Sequence, residues 1–288
     1  MLVTMASCSE EDDLVPVPDT LTDSFAPAPD ATDEVSVLRR SFKEEEGSYL
    51  LFNDTLRHEF IGKDTNGDDR YFTETLDISY STGQSTSTQK YSYEYITDFS
   101  EMQKSVDFLK QKILTHLPKQ LRPFSWFMVK GITNTSDYTT PLTVSGQRSI
   151  AVAVGALTDE ELEPLTTEVL TTALGKGLES KEKDLESFYA YGEGMYDQSF
   201  DGSTENPDGD ADINMMLLNK KGFIVQGEFW GFPVQNRYPT KTKDMNSFIE
   251  LVMNNTDEQV AQKYADYPLV IEKAKLLRSI ITNIGYIF

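Results

Sequence analysis

The spacing of apolar residues predicts two helices in the first half of the chain. Between Asp33 and Glu46 apolar side chains recur every three or four positions, and Gly47 follows directly. The same spacing runs from Asp98 to His116, where Pro118 stops it. One buried face repeating at this interval is typical of an amphipathic helix, so both segments are predicted to be helical.

Between and after these helices, short runs of β-branched and aromatic residues predict strands. Arg70–Ser79 and Thr88–Ile96 flank a Gly/Ser/Thr turn around Gly83, which predicts that the two runs form a hairpin. Other runs of this kind are Ser48–Phe52, Ser125–Ile132 and Ser149–Val154.

The second half of the chain is predicted to be mainly helical. Thr158 and Glu161 have the spacing of a capping box, so a helix is expected to begin there and continue to about Leu178. A helical run, a loop rich in Asp and Gly and three closing helices are predicted to follow, at about 183–196, 201–212, 243–254, 257–264 and 268–283. Strands mixed with helices but without regular alternation indicate the α+β class.

The first 35 residues differ from the rest in composition. Residues 9–35 contain nine acidic residues, no Lys or Arg and four prolines, a composition that does not collapse around a core. We therefore expect a flexible stalk at 9–35 and one globular domain at 36–288.

Cys8 is the one cysteine of the chain, and it follows an apolar run that narrows to small residues. Residues 1–8 resemble a truncated signal peptide that ends in a bacterial lipobox, in which this thiol would be acylated. The acidic stretch Ser9–Asp13 resembles the signal that follows the acylated cysteine in surface-exported Bacteroidota lipoproteins. The expected location is the outer membrane, lipid-anchored and surface-exposed; a free cysteine in a disordered tail is the alternative.

The charge balance limits the classes of partner. Lys and Arg number 26 and Asp and Glu 47 among 288 residues, which gives a formal net charge of -21. Such a chain repels nucleic-acid phosphates and anionic lipid, so we expect no nucleic-acid partner and membrane attachment only through the lipid. A single cysteine also excludes an intramolecular disulfide.

Several stretches in order resemble the zinc-binding metallopeptidase lipoproteins of Bacteroidota, which are often found near nutrient-import systems. They are Tyr49–Leu56, Leu121–Phe124, Gly222–Phe223 with Phe248–Glu250, and Tyr267–Ala274. The resemblance implies a zincin-like α+β fold. It also implies a catalytic zinc site on a helix that follows a strand, built from His-Glu-x-x-His.

The stretch that matches this zinc motif is Thr167–Thr171. Glu168 occupies the position of the glutamate, but Thr167 and Thr171 replace both histidines, and a neutral hydroxyl is a weak zinc ligand. The resemblance thus implies a degenerate site with no zinc, in which Glu168 is a remnant and Glu250 is a further acidic remnant. A solvated helix face or a buried ion pair is the plainer interpretation of both glutamates.

The chain has two histidines, His58 and His116, which lie too far apart in sequence to form a local pair. His58-Glu59 imitates half of the zinc motif, yet Gly62 stands where the second histidine would be, so the match is interpreted as coincidental.

Two acidic loops resemble the start of a calcium-binding loop. Asp64–Asp69 and Asp208–Asp212 alternate carboxylates, but both lack the glycine and the glutamate that complete such a loop. A hairpin turn is the favoured interpretation of the first, and weak calcium binding is the alternative for either. No cofactor is expected otherwise.

Aromatic residues concentrate on glycine-rich sequence near position 230. Phe229, Trp230, Phe232 and Tyr238, with Phe223 before them, could stack on a sugar ring or clamp a peptide if exposed. Packing in the core is the favoured alternative.

Taken with the resemblance, these features predict a non-catalytic pseudo-metallopeptidase lipoprotein of the outer membrane. Its expected role is that of an accessory or binding component of a nutrient-import system, with a transporter or its lipoprotein as partner and a peptide or glycan as ligand. Two alternatives remain: an active hydrolase that uses carboxylates or a calcium-type cation, and a structural partner that docks on an outer-membrane transporter.

Overall fold

The computed structural model describes residues 23–76, 78, 90–155, 159–200, 206, 208–229, 232–233 and 236–288. Its helices are α1 (Glu34–Glu46), α2 (Phe99–Phe108), α3 (Asp159–Leu178), α4 (Glu186–Tyr189), α5 (Ala211–Lys220), α6 (Lys241–Asn254), α7 (Asp257–Lys263) and α8 (Pro268–Asn283). Its strands are β1 (Tyr49–Leu51), β2 (Thr55–Lys63), β3 (Asp69–Thr75), β4 (Tyr91–Tyr95), β5 (Ser125–Asn134), β6 (Thr143–Ser145), β7 (Ser149–Ala153), β8 (Glu228–Phe229) and β9 (Phe232–Pro233). The fold is α+β, as predicted.

The central sheet is mixed and has five strands around β5. β1 and β7 run parallel to β5 on its two sides, and β4 pairs antiparallel with the later half of β5, beyond β1. β6 pairs antiparallel with β7 and closes that edge of the sheet. Both predicted buried strands, 125–132 and 149–154, are therefore confirmed as neighbouring parallel strands.

Alternation along the central strands divides the core between two sides of the sheet. On β5, Trp126 and Met128 face the large helical core, whereas Phe127 and Val129 face a smaller cluster on the opposite side. Successive side chains of a strand point to opposite faces, so both faces of this sheet are covered. The helical core is the larger of the two, and α3, α6 and α8 contribute most of its helical residues.

The predicted hairpin between 70–79 and 88–96 is wrong. β3 pairs with β2 across a tight turn, and β4 pairs with β5 instead. The side-chain oxygen of Asp64 accepts hydrogen bonds from the amides of Asn66 and Asp68, and Gly67 has a φ of 89°, so the acidic loop itself makes the reversal. This confirms the interpretation of Asp64–Asp69 as a hairpin turn; the turn around Gly83 lies outside the described residues.

The predicted helix boundaries agree best with the structure where the capping residues are clear in the sequence. Asp33 caps α1 by accepting a hydrogen bond from the Ser36 amide, and Gly47 ends it at a φ of 81°. α2 continues beyond Phe108 as one wide turn, Leu109–Ile113, before Pro118. Of the predicted helix at 183–196 only the single turn α4 forms, followed by a 3-10 turn at Ala190–Gly192.

The C-terminal part of the predicted stalk is folded. Phe25 is 2% exposed and packs in the smaller cluster, and Arg39 Nη2 donates to its carbonyl oxygen at 2.8 Å. Packing of the Phe25 ring thus attaches this part of the acidic segment to the sheet. The boundary predicted at residue 36 is therefore too late, and residues 9–22 lie outside the described residues. None of the described helices combines the length and apolarity that crossing a bilayer needs.

Candidate functional site

The residues that match the zinc motif lie in the middle of α3, beside the edge strand β6. Glu168 Oε1 accepts hydrogen bonds from the Thr143 amide at 3.1 Å and from Thr143 Oγ1 at 2.9 Å. Thr143 Oγ1 also lies 3.0 Å from Thr172 Oγ1. We call Glu168, Thr143 and Thr172 the helix–edge contact. Thr167 and Thr171, at the two histidine positions, are partly buried on the same helix.

The other predicted acidic and imidazole groups are elsewhere. Glu250 is exposed on α6, and its carbonyl oxygen accepts from Asn254 within that helix. His58 stacks on Tyr71 at 4.5 Å in the β2–β3 hairpin, while His116 Nδ1 lies 2.6 Å from the Ile287 carbonyl oxygen. Within the described ranges, no three His, Cys, Asp or Glu side chains are grouped so that they could hold a metal ion.

The second acidic loop contains a helix cap. Asp210 Oδ1 accepts from the amides of Asp212 and Ile213, which begins α5 at Ala211. Asn206 brackets the same turn through two hydrogen bonds with the Asp210 backbone. Part of the loop predicted at 201–212 is thus the start of a helix; residues 201–205 and 207 lie outside the described residues.

The predicted aromatic surface is only partly described. Phe223 is fully buried and Tyr238 is 9% exposed, and the two rings pack 5.2 Å apart beside Leu218. This confirms core packing for these two residues. Phe229 and Phe232 pair in the short ladder of β8 and β9, and Trp230 and Cys8 lie outside the described residues.

A buried charged group that the sequence analysis missed joins α6 to α8. Lys273 Nζ donates to Asp244 Oδ2 at 2.6 Å and to the Gly222 carbonyl oxygen at 3.1 Å, and Tyr196 donates its hydroxyl to the same Oδ2 at 2.8 Å. Asp244 and Lys273 are both 0% exposed. We call Asp244, Lys273 and Tyr196 the buried network.

Aromatic rings enclose this network. Lys273 Nζ lies 4.6 Å from the centroids of three phenylalanine rings, those of Phe188, Phe223 and Phe248. Burial raises the pKa of Asp244 and lowers the pKa of Lys273, and the opposite charge of each partner resists both shifts. Burial, followed by the charge of Asp244, raises the pKa of Tyr196, so its hydroxyl keeps its proton and remains a donor.

The spacing of α8 contained a signal for this network. Val270, Ala274, Leu277 and Ile281 form the buried stripe of the helix, and Lys273 falls on it. On α6, Asp244 likewise directly precedes the buried Met245. A charged residue on an apolar stripe, matched by an opposite charge on another stripe, indicates a buried ion pair.

Next to the buried network is an open cavity of about 700 Å³. The Tyr189 and Tyr196 rings line it and meet at a centroid distance of 5.9 Å and an interplanar angle of 88°. Lys241 Nζ lies 5.1 Å from the centroid of the Tyr189 ring and 3.4 Å from Glu182 Oε1. Burial, followed by the charges of Asp244 and Glu182, raises the pKa of Tyr189 to about 12.

The β2–β3 hairpin carries a group of exposed apolar side chains. Phe60, Ile61, Tyr71 and Phe72 are each about half exposed, and the Phe60 and Tyr71 rings touch edge-to-face at 5.8 Å. Cross-strand pairing of Phe60 with Tyr71 places both on one face of the hairpin.

No family model, curated protein or solved structure matches the chain. The described residues offer a carboxylate on α3 that is held by Thr143 of β6, an aromatic corner beside carboxylates in the cavity, and exposed rings on the hairpin. Glu168, which matches the catalytic glutamate of the motif, is already occupied by two donors.

Proposed function

We propose that this protein is a non-catalytic pseudo-metallopeptidase that acts as a binding or accessory component of a nutrient-import system at the outer membrane. The observation that carries the proposal is the helix–edge contact. Glu168 accepts two hydrogen bonds from Thr143, so the carboxylate that would polarise a zinc-bound water holds α3 to β6 instead. Thr167 and Thr171 offer neutral hydroxyls in place of imidazoles.

The zincin-like part of the proposal rests on the resemblance and on the position of α3. In the family, the motif helix follows a strand, and α3 follows β7 after the short segment 154–158. α3 also lies against the edge strand β6, where Glu168 accepts a hydrogen bond from the Thr143 amide. The proposed ligand is a peptide or glycan that is held without being cleaved.

The location in this proposal follows from the N-terminal sequence, and the partners follow from the family resemblance. Acylation of Cys8 would attach the chain to the outer membrane, and the acidic residues after it would direct it to the surface. A nutrient transporter or its capturing lipoprotein is then the partner. The net charge of -21 disfavours direct contact with anionic lipid and with nucleic acid.

Metal content and peptide cleavage together test the non-catalytic role. We expect the purified chain, equilibrated with zinc and then with calcium, to retain neither metal stoichiometrically. We also expect it not to cleave casein. The double variant T167H/T171H should bind zinc, because it restores imidazoles at i and i+4 beside Glu168. Stoichiometric zinc in the wild-type chain, with cleavage that Glu168→Gln abolishes, would overturn the proposal.

Docking on a transporter is a second candidate function, and the β2–β3 hairpin favours it. Half-exposed rings at Phe60 and Tyr71 on a hairpin with few buried residues are typical of a contact surface. A photo-crosslinking residue at position 60 should capture an outer-membrane protein in cells. The same residue at Val37, equally exposed on α1, serves as the control, and equal capture at both positions would count against docking.

A further inference from the structure

The cavity beside the buried network has a rigid aromatic corner. Tyr196 is fixed at its hydroxyl by Asp244 and along its ring by Phe223, which it meets edge-to-face at 5.6 Å. Gly192 permits this packing, because a Cβ there would lie 2.6 Å from the Tyr196 ring and 2.7 Å from Phe223. The perpendicular contact with Tyr189 then holds the second ring at the cavity wall. The two rings meet at nearly a right angle, and an ammonium group of the chain already lies over the Tyr189 ring.

Carboxylates outnumber ammonium groups around this corner. The cavity is lined by three glutamates and two lysines, namely Glu182, Glu186, Glu193, Lys183 and Lys241. Burial raises the pKa of Tyr189 most, and the charges of Asp244, Glu182 and Glu179 raise it further. A net charge of -21 on the whole chain adds long-range attraction for a cationic ligand.

The chain's own Lys241 demonstrates the kind of group that this corner accommodates. Its ammonium lies 5.1 Å from the Tyr189 ring centroid, within the range of a cation–π contact, and 3.4 Å from Glu182 Oε1. Both side chains of this ion pair are mostly solvent-accessible, at 51% for Lys241 and 75% for Glu182. An exposed pair of this geometry contributes little to stability, so another ammonium can replace Lys241 at small cost.

We propose that this cavity binds the ammonium group of a lysine side chain from an extended peptide, in the place that the Lys241 ammonium takes in this structure. A volume of about 700 Å³ exceeds what one ammonium fills and leaves room for the peptide on either side. The inference rests on the proposed binding role and names its ligand class. Lys241 acts as an internal competitor that pairs with Glu182 until the peptide binds.

Calorimetric titration of the full chain with a blocked trilysine peptide at low salt tests this proposal. The matched neutral probe is the same peptide with norleucine, which keeps the apolar stem and lacks the charge. We expect binding of trilysine only, weakened about two- to fivefold by Tyr189→Leu, which removes the cation–π face. Glu186→Gln and Glu193→Gln should each weaken binding by a similar factor.

Lys241→Ala provides the decisive variant, because it is expected to tighten trilysine binding about two- to fivefold by removing the competitor. Lys263→Ala is its control: Lys263 lies 5.4 Å over the Tyr264 ring on α7, so the variant loses the same charge and the same kind of contact away from the cavity. The gain with Lys241→Ala must exceed the gain with Lys263→Ala.

Three results would overturn the ammonium site: no trilysine binding to any variant, equal binding of the norleucine peptide, or weaker binding in Lys241→Ala. Mass spectra of the titrated peptide separate this failure from failure of the proposed function. An intact peptide that does not bind removes the ligand assignment alone, whereas a cleaved peptide removes the non-catalytic role.

Discussion

The helix–edge contact and the buried network both hold a carboxylate with hydroxyl or ammonium donors, but they do so in different surroundings. Glu168 is partly exposed and accepts from Thr143, so water can replace either donor at modest cost. Asp244 is 0% exposed, and without Lys273 its charge would be buried among apolar rings. The comparison teaches that burial, and not the number of hydrogen bonds, decides how strongly each carboxylate is tied to the fold.

The two regions also differ in what they leave open to a ligand. In the helix–edge contact Glu168 Oε1 accepts two hydrogen bonds that join α3 to Thr143 of β6. In the buried network the charges are hidden, but Tyr196 carries their influence to the cavity, because its hydroxyl is fixed by Asp244 while its ring lines the wall. If the cavity binds the proposed ammonium group, stability and binding are linked in the second region, because Tyr196 belongs both to the buried network and to the cavity wall.

The largest expected effect is loss of the ammonium from the buried network. Lys273→Met leaves Asp244 as an uncompensated buried charge and should lower the free energy of unfolding by about 3–5 kcal/mol. The double variant Asp244→Leu/Lys273→Met removes both charges and should recover most of that loss. Urea unfolding followed by circular dichroism measures all three chains.

An exposed ion pair supplies the control for that experiment. Lys63 Nζ lies 2.6 Å from Asp69 Oδ1 in the β2–β3 hairpin, where both side chains are largely solvated. Lys63→Met should change the free energy of unfolding by less than about 1 kcal/mol. If Lys273→Met cost no more than Lys63→Met, burial would not be the deciding variable and the comparison would fail.

Two glycines on α3 test whether this helix is held by packing beyond its contact with β6. A Cβ at Gly177 would lie 2.8 Å from the Leu121 carbonyl oxygen and 3.1 Å from its Cα, and this backbone cannot move aside easily. Gly177→Ala should therefore lower the free energy of unfolding by about 1–3 kcal/mol.

Gly175, two residues before Gly177 on the same helix, provides the matched change. Its Cβ would approach only the Asn246 side-chain oxygen, at 2.8 Å, and that amide can rotate. Gly175→Ala should be close to neutral, since alanine gains about 1 kcal/mol of helix propensity against a small repacking cost. Thermal unfolding of both variants gives the ranking, and a larger loss at Gly175 would contradict the assigned packing.

The helix–edge contact should give a smaller effect that depends on the acceptor atom. Glu168→Ala removes the acceptor of both Thr143 donors and should cost about 1–2 kcal/mol of unfolding free energy. Glu168→Gln keeps one side-chain oxygen in place and should retain more than half of that stability. Equal losses in the two variants, measured by urea unfolding, would show that charge and not hydrogen bonding matters at this position.

Local patterns in the sequence predicted the elements whose signals lie within a few residues. Asp33 and Gly47 define both ends of α1, and the apolar stripes predicted α6, α7 and α8. β2 was missed because residues on both its faces are largely exposed, so its sequence carries no alternation of buried and polar positions. The predicted hairpin around Gly83 is wrong because β3 turns back through Asp64–Asp69 onto β2, the strand whose sequence carries no such signal.

The candidate sites depend on pairs that are distant in sequence, and local spacing cannot specify them. Lys273 and Asp244 are 29 residues apart, and Tyr196 is 48 residues from Asp244. Each is conspicuous only when α6 and α8 are already known to pack together. Glu168 could be singled out because it matches the glutamate position of the family motif. Its partner Thr143 lies on a three-residue strand that the sequence pattern does not predict.

The smallest expected effect is a pH dependence that the two regions do not share. The pKa of Tyr189 is about 12 in the folded chain, above its ordinary value of 10.0, because burial and then the nearby carboxylates disfavour the phenolate. The unfolded chain loses this proton first, so the stability that Tyr189 contributes is complete below pH 10 and is lost as the pH rises towards 12. The helix–edge contact contains no tyrosine, so it has no titration of this kind.

Comparing wild type with Tyr189→Phe isolates this contribution. The difference in unfolding free energy between the two chains should shrink as the pH rises from 10 to about 12, because only the wild type has the phenol whose pKa is raised. Tyr138→Phe, on a largely exposed turn residue, controls for loss of a hydroxyl alone. A constant difference between wild type and Tyr189→Phe over that interval would contradict the raised pKa of Tyr189, which burial and then the charges of Asp244, Glu182 and Glu179 cause.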